Sequence, residues 1–102
     1  MPNAKYNLKK NGLVTKPDYL IIGGKSANLD ENYENDTTTF KGTVYNITIY
    51  ENLVSISFEA ESKSGGVIEL EIEIDGKKLK THPIIREEKD GALRIARFYQ
   101  IK

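Results

Sequence analysis

The chain is predicted to be all-β, an antiparallel sandwich or small barrel of about six to seven strands built on a four-stranded meander. Three observations carry that prediction. Residues 67–75 alternate without a break, Ile68, Leu70, Ile72 and Ile74 standing between Glu69, Glu71, Glu73 and Asp75, the period of a strand with one buried and one wet side. β-branched and aromatic residues crowd residues 38–50, as suits a pleated, half-buried surface. Turn-forming pairs, Glu51-Asn52 and Asp75-Gly76, separate the alternating runs at hairpin spacing.

With 102 residues the chain has room for one domain, a single β domain over residues 1–102. A chain of this length buries roughly 65% of its unfolded surface, enough for one core. A hydrophobic content of 38% and a charged content of 29% are those of a folded globular protein rather than a disordered one. No stretch approaches the roughly 18 apolar residues of a membrane span, and the first ten residues lack the apolar core of a signal peptide. A cytoplasmic location without membrane contact is therefore expected. The absence of cysteine removes disulfides, thiol nucleophiles and thiolate metal sites.

The 15 basic and 15 acidic residues cancel in total but are segregated along the chain. Residues 1–17 hold four lysines and no acid, residues 42–76 one lysine and seven acids, and residues 77–102 eight basic residues and three acids. Neighbouring strands of opposite charge with one wet side each account for that pattern.

Taken in order, residues 1–17 read as a partly ordered arm or a short first strand, with Asn11-Gly12 as a turn and Pro17 closing the segment. Residues 19–22 form a compact apolar strand ended by Gly23-Gly24. Residues 25–37 are polar, a long loop or one helical turn capped by Ser26. Residues 38–50 make the next strand, Gly42 marking a bulge or bend within it. That strand is a candidate exposed edge, able to receive a partner's strand unless the N-terminal segment covers it.

Residues 53–61 return from it. Pairing across the Glu51-Asn52 turn sets Ile49 against Val54, Ile47 against Ile56 and Tyr45 against Phe58. Across the loop at residues 62–66, Phe58 would face Leu70 and Ile56 would face Ile72. Across Asp75-Gly76, Ile72 faces Leu79, Glu73 faces Lys78, Glu71 faces Lys80 and Glu69 faces His82. Each register keeps the apolar residues on one side, where a slip of one residue would turn a whole strand's apolar set into water. Ile84-Ile85 prolongs this strand or starts another. Residues 92–102 read as a final strand with Leu93, Ile95, Tyr99 and Ile101 on one side.

Motifs with chemical content are few. Gly23-Gly24-Lys25-Ser26 has the ending of a phosphate-binding loop, but Tyr19 stands where its first glycine belongs and no alternating strand and helix pattern surrounds it. Asp30, Glu31, Glu34 and Asp36 offer oxygen ligands for calcium at a spacing unlike an EF-hand, and an acidic loop is more simply solvated. The single histidine, His82, is placed on the wet side opposite Glu69, without the buried acid and nucleophile of a triad. Asn35-Asp36-Thr37 and Asn46-Ile47-Thr48 match the glycosylation sequon, which carries weight only in a secreted chain. No cofactor, metal or catalytic residue is therefore nominated.

The function expected is that of a small non-enzymatic binding protein. A sheet face or edge, carried by Val44, Asn46, Thr48, Tyr50, Leu53, Ser55 and Ser57, would meet a protein partner as inhibitor or adaptor, or mediate self-association, because tyrosine and small hydroxyl residues on a rigid sheet contact others at low entropic cost. The alternative is a single-stranded nucleic-acid-binding barrel using Lys5, Lys9, Lys10, Arg94, Arg97 and Tyr99 as a basic surface with a stacking aromatic. A carbohydrate-binding module using Tyr50 and Asn46 is a weaker third reading.

Overall fold

The structure, a computed structural model, describes residues 2–29, 31–34, 37–87 and 89–101, and of residues 31–34, 37 and 87 the backbone alone. Every regular element among them is a strand: β1 (Ala4–Lys10), β2 (Tyr19–Ile22), β3 (Lys25–Ser26), β4 (Glu31–Glu34), β5 (Thr37–Val44), β6 (Leu53–Ser62), β7 (Gly66–Ile74), β8 (Lys77–Lys78), β9 (Ile84–Glu87) and β10 (Gly91–Gln100). The all-β prediction holds, with more strands than expected, two of which, β3 and β8, have only two residues. Two antiparallel sheets pack around one core. In the first, β4, β5, β1, β7 and β8 lie side by side, with β9 also paired to β7. In the second the order is β10, β6, β2, β3.

Of the two readings of the N-terminal segment, the first strand holds and the arm does not. Alternation in β1 sends Ala4, Tyr6 and Leu8 into the core and Lys5 and Lys9 to solvent. Its inward residues meet apolar neighbours on both flanks: Leu8 lies between Phe40 and Leu70, and Tyr6 between Gly42 and Ile72. β5 is therefore interior, flanked by β4 and β1, rather than an open edge. Gly42 is no bulge either, since the register of β1 and β5 runs through it without a shift. Its missing Cβ makes room for Tyr6, whose Cζ would lie 2.8 Å from a side chain there. The buried Tyr6 hydroxyl donates to the Asn28 carbonyl. Within the polar stretch, Lys25–Ser26 and Glu31–Glu34 form the strands β3 and β4, residues 27–29 are irregular, and no helical turn forms among the described residues.

The four-stranded meander is not formed. β6 and β7 adjoin in sequence but lie in opposite sheets, so Phe58 does not face Leu70, nor Ile56 Ile72. The chain turns a corner at residues 63–65, where Lys63 N–H donates to the Leu13 carbonyl and a Cβ on Gly66 would overlap the Ser62 hydroxyl. A second corner follows Val44. Asn46 takes a φ of 58°, its N–H donates to Asn3 Oδ1, and Thr48 N–H donates to the Gly23 carbonyl. Pairing across Glu51-Asn52 is thus confined to Tyr50 and Leu53.

The two tight turns themselves are as expected. Glu51 and Asn52 have φ of 49° and 67°, and Asp75 and Gly76 have 49° and 84°, the two positive values of a type I′ hairpin turn. After the second, Glu73 pairs with Lys78, and Leu79 N–H donates to the Ile72 carbonyl. The chain then leaves the first sheet, and Lys80 N–H donates to the Gln100 carbonyl in the second. It returns at Pro83, whose carbonyl accepts from Leu70 N–H. Over this detour His82 Nδ1 accepts the Ile72 N–H at 3.2 Å, a side chain replacing the strand that swung away. Half-buried His82 therefore does not face Glu69 from the wet side; Ile84 does.

Candidate functional site

Alternation in β6 buries Val54, Ile56 and Phe58 and leaves Leu53, Ser55, Ser57 and Glu59 on the outside of the second sheet. The registers then dictate their neighbours. On one side β10 sets Gln100, Phe98, Ala96 and Arg94 against Leu53, Ser55, Ser57 and Glu59 respectively. On the other, β2 sets Ile21 against Ser57 and Tyr19 against Glu59. Tyr50 joins the same side through its pairing with Leu53. The outcome is a face of small hydroxyls and alanine bordered by aromatic and aliphatic side chains, on which Phe98 is 61% and Tyr50 67% exposed.

One ion pair closes the far end of this face, Arg94 to Glu59 Oε1 at 2.9 Å. The hydrogen bond and charge of Glu59 hold the Arg94 guanidinium above its ordinary pKa. On the inward side of β10, burial pushes the Tyr99 phenol up, against the opposing charge of Arg97. Tyr99 is a core residue, with its neighbours Leu93, Ile95 and Ile101.

Of the residues nominated from sequence for a protein partner, Tyr50, Leu53, Ser55 and Ser57 come together here. Val44 does not: it is buried in the first sheet, opposite Ala4. Asn46 and Thr48 are exposed but belong to the corner that follows Val44, not to a strand of this face. Phe98, Ile21, Tyr19 and Ala96 were missed. The last strand's inward set already implied that Phe98 points outward; what was lacking was the knowledge that this strand lies beside β6.

The residues nominated for nucleic acid are divided between layers. Lys5 and Lys9 lie on the outside of the first sheet, each beside a glutamate of β7, Glu73 and Glu69. Lys10 belongs to the inward row of β1 and is buried. Arg94 is paired on the second sheet, Arg97 is exposed there, and Tyr99 is buried. Asp30 and Asp36 of the acidic segment, and the side chains of Glu31 and Glu34, lie outside what the structure describes. Among the described residues no three His, Cys, Asp or Glu side chains come close enough to hold a metal ion, and no helix is long and apolar enough to cross a membrane. Compared with known protein families, with curated proteins and with solved structures, the chain finds no match.

Proposed function

We propose that this chain is a non-enzymatic binding protein whose outer four-stranded sheet face docks a protein partner. The observation that carries the reading is the joint exposure of Phe98 and Tyr50 on one rigid face with Ile21, Leu53, Ser55 and Ser57. Full burial of a large apolar side chain contributes roughly 1.5 to 3 kcal/mol, and a ring held by two torsions loses little entropy when it is covered. Small residues between the rings let a partner approach the sheet closely, and the Arg94–Glu59 pair supplies a polar rim. The oligonucleotide reading draws no support from basic residues divided between two layers, nor the carbohydrate reading from Asn46 and Tyr50 on different elements.

The test is a quantitative capture from lysate of the native host with the wild-type chain and with Phe98→Asp and Tyr50→Asp. A protein retained by the wild type and lost by both variants, each still folded by circular dichroism, supports the proposal. A partner retained equally by all three overturns it.

A further inference from the structure

The long strand β10 is an edge. It pairs with β6 alone, and its other side is engaged only at the very end, where the Gln100 carbonyl accepts from Lys80 N–H. Ile101 N–H donates to the Asn52 carbonyl across the same β6 ladder. Ladder hydrogen bonds alternate in an antiparallel pair, so the odd-numbered residues of β10 exchange bonds with β6. Ala92, Arg94, Ala96 and Phe98 therefore turn their N–H and C=O groups outward, and among the described residues no strand pairs with them. An unprotected edge of this length is a template for another chain.

The side chains say what kind of chain. The inward row of β10 runs Leu93, Ile95, Arg97, Tyr99, and only Arg97 in it is exposed. A charge in the inward row of an edge strand is a device against indiscriminate pairing. Two copies of β10 paired about Ala96 would set their Arg97 side chains diagonally across from each other, so a second copy is the wrong occupant. Residues 91–101 contain two arginines and no acid. Arg94 already holds Glu59, whereas Arg97 has no ion-pair partner among the described residues.

We propose that β10 accepts an extended acidic segment of a protein partner as an added strand, its carboxylate set against Arg97. This deepens the reading of the second sheet as a contact surface and rests on it. Apolar guest residues two positions either side of the carboxylate lie over the rims of Ile95 and Tyr99. On the outer face, Ala92 and Ala96 leave space for larger guest side chains beside Phe98, so the guest extends the docking face rather than competing with it. Main-chain hydrogen bonds supply affinity, and the row of alternate side chains supplies selection.

The probe is a labelled peptide alternating threonine and valine with glutamate at its centre, against the same peptide with lysine there, titrated to millimolar concentration. With the wild-type chain the glutamate peptide should bind roughly ten-fold tighter than the lysine peptide, a difference of about 1.4 kcal/mol. Amide exchange should slow at Ala92, Arg94, Ala96 and Phe98. Arg97→Glu, which leaves the backbone unchanged, should reverse the preference. Equal binding of both peptides, no binding of the glutamate peptide, unchanged exchange at these amides, or a dimer whose β10 amides are already protected would each overturn the proposal. If the peptides fail while Phe98 still governs partner capture, the edge is wrong and the face stands; if capture ignores Phe98 while the peptides succeed, the face is wrong.

Discussion

The two sheets have outer faces of opposite character, although β6 and β7 follow one another in sequence and alternate equally well. Outside the first sheet, one row across the strands reads Thr43, Lys5, Glu73, Lys78, and the next reads Lys41, Asn7, Glu71. Acid and base alternate from strand to strand, and each such neighbour pair contributes roughly 0.2 to 1 kcal/mol to the sheet itself. Outside the second sheet the rows read Ile21, Ser57, Ala96 and then Ser55, Phe98. Those side chains stabilise their own sheet little and leave apolar surface in water. One face is covered mainly by neighbouring charges, with Ile84 exposed beside Glu69 at its β9 end; the other gains most when something covers it.

Four variants sharpen that contrast, and the largest effect falls on the charged face, beside Lys5, Glu71 and Lys78. There His82 Nδ1 accepts the Ile72 N–H. His82→Ala leaves a part-buried amide without a partner, a loss of about 1 to 3 kcal/mol measured by urea unfolding. His82→Asn, whose amide oxygen can take the place of Nδ1, should recover part of it. A double change of Lys5→Glu and Lys9→Glu sets acid beside Glu73 and Glu69. It should cost about 1 to 2 kcal/mol at low salt and less at high salt. Asn7, between those lysines, has its Oδ1 buried without a hydrogen-bond partner. Asn7→Thr removes that atom and favours the strand, and should raise stability by up to about 1 kcal/mol.

Much of this architecture was legible, and the illegible part has one physical origin. Burial selects which face of a strand turns inward but not which strand lies beside it, because both sheets bury the same alternate residues. The inward sets of residues 53–61, 67–75 and 92–101 and the Asp75-Gly76 turn could therefore be read, whereas the partners of β6 and β7 could not. A signal was present all the same. The expected pairing across residues 62–66 would have opposed Glu59 to Glu69, a destabilising like-charge contact. In the fold Glu59 lies between Tyr19 and Arg94, and Glu69 between Lys9 and Ile84. The segregation of charge along the chain was the trace of those pairings, basic β1 beside acidic β7. The docking face shared this fate: Ser55 and Ser57 were recognisable as outward, but Phe98 and Ile21 join them only once β10 and β2 are known to flank β6.

The smallest expected change in stability is on the apolar face, and it separates the two faces most cleanly. Phe98 meets Ser55 within the sheet and is otherwise open to solvent, so Phe98→Asp removes little packing. Surface changes of this kind usually stay within about 0.5 kcal/mol. The same holds for Tyr50→Asp, because the hairpin bonds between Tyr50 and Leu53 are made by the backbone. If thermal unfolding shows the pair of variants as stable as the wild type while partner capture is lost, the face exists for contact. A stability loss as large as that of Lys5→Glu with Lys9→Glu would instead mean that Phe98 and Tyr50 hold the sheet together, and the contrast between the faces would disappear.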